Sequence, residues 1–309
     1  MKSEFALAFN EIAEHSKLKR EIILDALENA MVTAYRKAVN ASAAQHVVVK
    51  VDPATGGIKV YAEKEVVDDV QEPNTEVALP DARQVEAYDG FIWTGSNLTI
   101  YDDDPKVTRQ IEFARLLFEV GRPQFGSCWG VQMAAVAAGG EVRKNPLGRE
   151  MGFARKVHLT ADGRRHPMYE HKPDVFDGFI SHLDEVTRVP EGGVVLATNE
   201  HTRVQALEVR HRKGVFWATQ YHPEYELADM ARLIIARADP LIKEGFFADR
   251  ATLEAKVQRM EALASDPSRK DLRWDLVIGD DILDDRIRQC ELRNWVQKVV
   301  MPKAPAGTH

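Results

Sequence analysis

From about residue 88 the chain alternates between short apolar runs, glycine turns and helical stretches. The segment "YDGFIWTGS" predicts a buried strand that ends in a glycine turn, and "PKVTRQIEFARLLFEVG" predicts a helix that ends at Gly121. The segment "RPQFGS" predicts a second strand. Such alternation implies a parallel sheet flanked by helices. Three later β-rich runs are expected to complete that sheet: "GGVVLATN", "TRVQALEVRH" and "GVFWATQYHPE".

The two ends of the chain follow other patterns. Apolar residues at helical spacing predict two helices within residues 4–38, and β-branched runs on either side of "DPATGG" predict a β-hairpin. From Leu227 onward we expect mostly helix. One apolar helical face there is predicted to comprise Leu253, Val257, Met260 and Ala264.

The chain is long enough, at 309 residues with 44% hydrophobic content, for roughly two domains and a substantial core. The change of pattern along it predicts three segments. These are a small α+β segment over 1–84, an α/β domain over 85–240 and a helical extension over 241–309.

Composition excludes several classes of function. The formal net charge is −7 and we find no cluster of Lys and Arg, which disfavours a general nucleic-acid-binding surface. No apolar run approaches the roughly 20 residues that span a bilayer, and the N-terminus does not resemble a signal peptide, so we expect a cytoplasmic protein without a membrane partner. The two cysteines make no disulfide framework, and no Cys/His spacing resembles a zinc site. We therefore expect no metal and no cofactor.

The segment "FGSCWGVQ" places Cys128 between Gly126 and Gly130, after a predicted strand and before a predicted helix. This is the pattern of a nucleophile elbow, in which the glycines are needed because the flanking backbone passes close to the turn. The dipole and free amides at the start of the helix would favour thiolate over thiol. The alternative is a buried packing residue, since free cysteines are among the most buried residue types.

The segment "QYHPEYE" follows a strand-like run and contains His222 and Glu224. Residues two apart in an extended segment point to the same side, so the carboxylate is expected to hold the imidazole while the other ring nitrogen faces Cys128. This predicts a triad of cysteine, histidine and glutamate. Taken alone, His222 is better explained as a surface histidine or a satisfied core histidine.

Two further loops carry candidates. The N–H groups of Gly95, in "TGSN", and of Trp129 are predicted to converge on a developing oxyanion, although Gly95 alone is also typical of an ordinary strand-to-loop turn. His182 and Asp184, in "SHLDEV", are predicted to lie in a polar loop, where the alternative role is surface hydrogen bonding.

Together these motifs resemble the class I glutamine amidotransferases, and most closely their GMP-synthase-like glutaminase domains, over about residues 86–300. The resemblance implies a flavodoxin-like α/β fold and glutamine as substrate. It implies that Cys128 attacks the side-chain carboxamide of glutamine, and that His222, oriented by Glu224, serves as acid and then as base. Gly95 and Trp129 would form the oxyanion hole. The residues that match the glutamine pocket are Gln132, His182 and Asp184.

The first 84 residues resemble the start of the N-terminal domain of the bacterial transcription factor NusA, which docks on RNA polymerase. Class I amidotransferases normally begin with a strand-helix-strand unit, which the NusA-like segment replaces here. The sequence therefore predicts a chimera joined near residues 83–88. Loss of strands from the sheet is expected to expose apolar faces and edges unless another element covers them.

The leading hypothesis is a glutaminase that supplies ammonia to a partner synthase, because we find no phosphate loop or ATP-pyrophosphatase motif for an acceptor half. A second is a γ-glutamyl hydrolase of the same fold. A third, from another class, is a module that binds RNA polymerase through residues 1–84. A fourth is that neither truncated half is functional.

Overall fold

In the computed structural model, helices pack against a mixed sheet of seven strands, and the nucleophile candidate lies at the end of one of these strands. The structure describes residues 5, 9, 13, 19–39, 47–53, 57–62, 64–67, 70–71, 76–78 and 84–302. The chain divides into two compact units, Met1–Ala87 and Tyr88–His309. The three sequence-derived segment boundaries stay predictions. No helix within the described ranges is long and apolar enough to cross a membrane.

The first unit contains the predicted second helix, α1 (Arg20–Val39), and the predicted antiparallel hairpin of β1 (Val47–Val51) and β2 (Ile58–Ala62). Two short strands pair in parallel, β3 (Glu65–Val67) and β4 (Glu76–Ala78). Residues 5, 9 and 13 are helical, and the rest of the first predicted helix lies outside the described residues. The buried face of β1 packs against apolar residues of α1, which include Leu24, Leu27, Met31, Val32 and Tyr35.

The second unit carries the predicted strands. Their bounds are β5 (Phe91–Trp93), β6 (Gln124–Ser127), β7 (Glu141–Lys144), β8 (Glu150–Leu159), β9 (Val175–His182), β10 (Asp184–Arg188), β11 (Gly193–Thr198), β12 (Ala206–His211) and β13 (Gly214–Thr219). The main sheet has the order β5-β6-β13-β12-β11-β8-β9, and β7 pairs with β10 separately. The three β-rich runs predicted to complete the sheet do join it.

The expectation of a parallel sheet is correct for only part of it. Strands β5, β6 and β13 run parallel, whereas β12, β11, β8 and β9 are antiparallel to their neighbours. The physical reason is the length of the segments that connect consecutive strands. Only Arg212 and Lys213 separate β12 from β13, and a link that short can join only antiparallel strands. The sheet is therefore mixed, and its parallel part is the part that ends at Cys128.

Helices cover the sheet and form the C-terminal part of the second unit. Their bounds are α2 (Pro105–Val120), α3 (Trp129–Ala137), α4 (Leu227–Ala236), α5 (Ala238–Lys243), α6 (Arg250–Ser265), α7 (Lys270–Leu276), α8 (Asp280–Leu283), α9 (Asp285–Arg288) and α10 (Cys290–Trp295). A π-helical turn, Val296–Val300, follows α10.

Helix α2 has clear start and stop signals. Its N-cap Asp104 accepts a hydrogen bond from the Lys106 N–H, and Pro105 occupies the first turn, where a missing N–H costs nothing. Gly121 ends the helix in the left-handed conformation at φ 79°, as predicted. Apolar residues of α2, α3 and the sheet then form one buried core.

The predicted apolar face of the C-terminal helices is confirmed on α6. Leu253, Val257 and Met260 are buried in a cluster that also includes residues of α4, and Ala264 packs against it. The C-terminal helices thus share their core with the helix that follows the His222 segment.

Strand β5 is an edge strand of the described sheet, as expected if strands are missing. It is only three residues long, and short edge strands limit unwanted pairing. Strand β6, which ends at Cys128, keeps parallel partners on both sides. The strand that holds the turn is therefore interior to the sheet.

Candidate active site

Cys128 lies at a strained turn between a strand and a helix. All four residues of β6 are buried, and Cys128 follows them as the N-cap of α3 with φ 52° and ψ −92°. A residue with a side chain in such a sparsely populated region costs about 1–3 kcal/mol and persists only where the surroundings hold it. Strand, strained residue and helix together form the geometry of a nucleophile elbow.

The two flanking glycines are required by close backbone approach. A Cβ on Gly126 would lie 2.6 Å from the Cα of Gly130. A Cβ on Gly130 would lie 3.2 Å from the carbonyl oxygen of Trp93, in β5. A side chain at Gly126 therefore requires the backbone to move, and one at Gly130 requires a smaller displacement of Trp93, so the tight turn favours glycine at both positions.

Backbone groups fix the nucleophile candidate. The N–H of Cys128 donates to the carbonyl of Thr219 at 2.8 Å, and its Sγ lies 3.5 Å from the carbonyl oxygen of Ser181. Trp129 is the first residue of α3, so its N–H has no acceptor within the helix. The thiol, on a residue 6% exposed, therefore sits beside a helix N–H that is available to a ligand.

Strand β13 brings the histidine segment to the elbow. It pairs in parallel with β6 up to Thr219 and Ser127, and the chain then continues to His222. The imidazole of His222 is buried, its backbone N–H donates to Phe179 at 2.7 Å, and its Nδ1 lies 2.7 Å from Oε1 of Glu224. Its Nε2 makes no hydrogen bond of ordinary geometry to a described protein atom and lies within interaction range of the Cys128 thiol.

The electrostatics of this pair favour a charged imidazole. Burial alone would lower the pKa of His222, but the negative charge of Glu224 and the hydrogen bonding and charge of Cys128 outweigh it and raise the pKa to about 10. Burial would raise the pKa of Glu224, yet the imidazole charge and the hydrogen bonds from His222 and Ser127 lower it. At neutral pH the imidazole therefore holds a proton that it can donate.

Gly95 lies against the imidazole, in the loop between β5 and α2. A Cβ on Gly95 would be 3.1 Å from Cε1 of His222. The imidazole also stacks on Tyr225, with ring centroids 4.0 Å apart and an interplanar angle of 10°. The histidine ring thus contacts both the glycine loop and an aromatic ring.

Gln132 lies one turn after Cys128 on α3, and residues four apart share a helix face. It is buried, and its Oε1 has no hydrogen-bond partner in the described part of the chain. Buried polar atoms are nearly always satisfied, so an unpartnered oxygen at this position indicates a place for a ligand donor.

His182 and Asp184 do not lie in an exposed polar loop, so that expectation is wrong. His182 ends β9 with its side chain buried, and Asp184 begins β10. The two ring nitrogens of His182 lie 2.9 Å from the Asp184 carbonyl oxygen and 3.0 Å from Oε2 of Glu150. The Asp184 carboxylate accepts from the hydroxyl of Tyr101 at 3.0 Å. Both nitrogens of His182 are occupied by protein atoms, and its part in substrate binding stays a prediction.

A group near His182 has the composition of a metal site. Ligand atoms of Glu150, His182 and His201 lie within 4.8 Å of one another. However, the Glu150 oxygens already accept hydrogen bonds from Asn199 at 2.6 Å and from Gln205 at 2.9 Å. Burial would raise the pKa of Glu150, but its hydrogen bonds and nearby imidazoles lower it. The cluster has the chemistry of a hydrogen-bond network rather than of a cation site.

The sequence did not indicate several residues that contact the site or border it. They are Ser127, Ser181, Tyr225, Asn97 and Arg237. Position in the chain could have indicated Ser127, directly before Cys128, and Tyr225, directly after Glu224. Ser181 and Arg237 approach the site from distant segments.

Fold and site define an α/β protein with a thiol at a nucleophile elbow. A family model described as "Glutamine amidotransferase class-I" matches residues 67–238, more than half of the chain. The chain belongs to the class I glutamine amidotransferase family, and the predicted α/β fold class is confirmed. A model described as "NusA N-terminal domain" matches residues 4–95. The two matches overlap, and the predicted join at 83–88 lies inside the overlap.

Individual relatives agree with the family. The chain is 38% identical over 239 residues to a gamma-glutamyl-L-1-hydroxyisopropylamide hydrolase of Pseudomonas sp, which covers 74% of this chain and 81% of that protein. It is 32% identical over 147 residues to a glutamine-hydrolyzing GMP synthase of Caldicellulosiruptor saccharolyticus, covering 47% of this chain but 26% of that protein. The chain thus spans about a quarter of the GMP synthase that it matches.

A solved structure shows the same fold. The glutamine amido transferase from Methylobacillus flagellatus superposes with a TM-score of 0.50 at 19% identity. The superposition covers 69% of this chain and 78% of that one.

Proposed function

We propose that this amidotransferase hydrolyses a γ-glutamyl amide through a thioester on Cys128. The observation that carries the proposal is the strained Cys128 beside a buried His222 whose Nδ1 lies 2.7 Å from Glu224. A strained, positioned thiol next to an imidazole with a raised pKa supports nucleophilic catalysis. Glutamine, whose side chain is the simplest such amide, is the substrate expected for the family.

Cys128, His222 and Glu224 take part both in formation of the thioester and in its hydrolysis. The thiolate of Cys128 attacks the γ-carbonyl carbon, and the N–H groups of Trp129 and Gly95 stabilise the oxyanion. The intermediate collapses as His222 gives its proton to the departing nitrogen, which leaves as ammonia or an amine. Neutral His222 then takes a proton from water, whose oxygen attacks the thioester. Glutamate leaves as the bond to sulfur breaks, which returns Cys128 to the thiolate, and the proton taken from water stays on His222, so the starting ion pair is restored while Glu224 holds the imidazole throughout.

Substitution of the nucleophile tests this proposal. Cys128→Ala should abolish amide hydrolysis and prevent covalent labelling by a glutamine-analogue electrophile, as measured by intact mass. The chain offers a matched control in Cys290, which is also free and buried and whose thiol pKa is raised by burial and by Glu291. Cys290→Ser should keep both hydrolysis and labelling. Hydrolysis at the wild-type rate by Cys128→Ala would contradict the assignment.

Amide hydrolysis at Cys128 fits two different functions, and of these we favour the hydrolysis of a substituted γ-glutamyl amide. The hydrolase relative matches 74% of this chain, against 47% for the GMP synthase. The alternative is delivery of ammonia to a synthase partner. The ratio of kcat/KM for a γ-glutamyl alkylamide to that for glutamine separates them. A ratio above one supports the hydrolase, whereas a ratio far below one supports the ammonia source.

A thiol nucleophile also needs the reduced state, which a cytoplasmic location supplies.

The NusA-like match motivates a second candidate function, which is binding to RNA polymerase. Its support is the family match over 4–95, together with a first unit in which α1 packs on the β1–β2 hairpin. The full chain should bind core RNA polymerase at micromolar concentration in biolayer interferometry, and the Cys128→Ala variant should bind equally well. No binding at that concentration would contradict this function without affecting the proposed hydrolysis.

A further inference from the structure

Arg237, between α4 and α5, holds a positive charge that is not neutralised within the described structure. Its Nη1 donates to the Ser181 hydroxyl at 2.7 Å, and its Nη2 donates to Oδ1 of Asn97 at 2.7 Å. Both partners are neutral. No ion pair of Arg237 is present among the described residues, and the side chain is partly buried. A guanidinium has five N–H donors, so donors remain for a ligand.

Acidic residues close to Arg237 along the chain are paired with other arginines. Asp239, two residues later, lies 3.5 Å from Arg250, and Asp229 forms an ion pair with Arg232 at 3.1 Å. Glu244 binds Arg149 through both carboxylate oxygens, at 2.7 and 3.2 Å. Glu244 lies within electrostatic range of Arg237 but is bonded to Arg149, so the hydrogen-bond partners of Arg237 among the described residues are neutral. A partly desolvated charge of this kind is costly unless a counter-charge arrives.

Both partners of Arg237 border the candidate active site. The carbonyl oxygen of Ser181 lies 3.5 Å from the Cys128 sulfur. Asn97 is two residues after Gly95, which lies against the imidazole of His222. The guanidinium therefore connects the strand on one side of the nucleophile to the glycine loop on the other.

We propose that Arg237 binds the α-carboxylate of γ-glutamyl substrates. This inference rests on the proposed hydrolysis at Cys128. Guanidinium groups bind carboxylates through paired, charge-assisted hydrogen bonds. In a γ-glutamyl group the α-carboxylate lies four bonds from the scissile carbonyl, a reach of roughly 5 Å. Ser181, whose carbonyl oxygen lies 3.5 Å from the sulfur and whose hydroxyl binds Arg237, is within that reach of a carbonyl bound at Cys128.

A second polar atom completes the recognition of an amino acid. The buried Oε1 of Gln132 has no hydrogen-bond partner among the described residues. It is an acceptor, so the α-ammonium group of the substrate is a suitable donor to it. Arg237 would then bind the α-carboxylate and Gln132 the α-ammonium group of the glutamyl half. Specificity would lie in the glutamyl half, and the amine that leaves would be free to vary.

The test compares two substrates in matched variants. One substrate is a γ-glutamyl alkylamide, and the other is the 4-aminobutyryl alkylamide, which lacks only the α-carboxylate. Arg237→Gln removes the charge and keeps an N–H donor for Ser181 or Asn97. Arg232→Ala is the control, since this arginine lies on helix α4, which ends just before Arg237, with its side chain 68% exposed.

For the wild type and the control, removal of the carboxylate should lower kcat/KM by roughly 10- to 100-fold, the range expected for a charged hydrogen-bonded pair. In Arg237→Gln the two substrates should be hydrolysed almost equally, and the loss on the γ-glutamyl substrate should appear mainly in KM. A merely structural role would lower both substrates by the same factor, which would overturn the proposal.

Binding provides a readout that does not depend on turnover. Calorimetry should show that L-glutamate binds the wild type more tightly than 4-aminobutyrate, with the difference lost in Arg237→Gln. An unchanged difference in the variant would overturn the role of Arg237. Absence of any amide hydrolysis by the wild type would instead contradict the proposed function, while this binding comparison would still decide the carboxylate site.

Discussion

The hydroxyl of Ser127 donates a 2.7 Å hydrogen bond to Oε1 of Glu224, the same oxygen that lies 2.7 Å from Nδ1 of His222. Ser127 is the residue directly before Cys128, and it pairs with Thr219 at the end of β13. The carboxylate that orients the imidazole is therefore anchored to the strand that carries the nucleophile. The nucleophile and the histidine–glutamate pair are thus both connected to strand β6.

Ser127→Ala should lower kcat by about 10-fold with little change in KM, because loss of one charge-assisted hydrogen bond loosens the carboxylate and the imidazole that it orients. Steady-state kinetics with a γ-glutamyl amide measure this. Ser265→Ala is a matched control, since that hydroxyl donates to the carbonyl of Glu261 at the exposed C-terminal end of helix α6. A wild-type kcat in Ser127→Ala would show that the hydrogen bond has no catalytic effect.

Glu224→Gln should lower the pKa of His222, because the charge of Glu224 is the largest influence that raises it. With the pKa of His222 at about 10, the wild-type imidazole can act as an acid up to that pH. The alkaline limb of kcat/KM should therefore move to lower pH in the variant. NMR titration of labelled histidine measures the pKa directly, and an unshifted titration would contradict this account.

The same raised pKa links stability to pH. His222 titrates near 10 in the folded chain against 6.5 for the unfolded one, so its contribution to the free energy of unfolding is fully present below pH 6.5. That contribution is lost as the pH rises through 10. The stability difference between the wild type and His222→Gln should therefore shrink between these pH values in urea titrations. A constant difference would mean that the pKa is not raised.

Local sequence predicted the parts of the site that depend on local sterics. The elbow followed from the spacing of Gly126 and Gly130 around Cys128, because a Cβ on Gly126 would meet Gly130 four residues later, whereas the restriction at Gly130 comes from Trp93 in β5. Helix α2 followed from its proline and glycine ends. The parallel expectation was wrong for half of the sheet, because strand direction there is decided by connection length rather than by strand composition.

The remaining parts depend on contacts between distant segments. Ser127 and Glu224 are 97 residues apart, and Asn97 and Arg237 are 140 apart. His182 was expected in a polar loop because its neighbours are polar, but Glu150, 32 residues away, satisfies it in the interior. No periodicity in one sequence reports such partners.

Gly126→Ala should abolish hydrolysis and destabilise the chain, because its Cβ would lie 2.6 Å from the Cα of Gly130. Backbone on both sides must then move, and overpacking typically costs about 1–3 kcal/mol. Gly245→Asn is the control, since Gly245 has φ +84° with no described atom within 4 Å of the place that a Cβ would take, and Asn tolerates that conformation. Thermal unfolding and activity assays measure both, and full activity in Gly126→Ala would contradict the tight elbow.

A buried ion pair stabilises the residue next to His222. The Nζ of Lys172 lies 2.9 Å from Oε1 of Glu291, with side chains 2% and 0% exposed, and Tyr221 donates to the same carboxylate at 2.6 Å. Glu291→Ala leaves the ammonium buried without its counter-charge, so we expect a loss of about 3–5 kcal/mol in the free energy of unfolding. The double variant Lys172→Met/Glu291→Leu should recover at least half of that loss, because it removes both charges and keeps the volume filled. Urea unfolding measures both, and equal losses in the single and double variants would mean that packing around Tyr221, rather than the unpaired charge, sets the penalty.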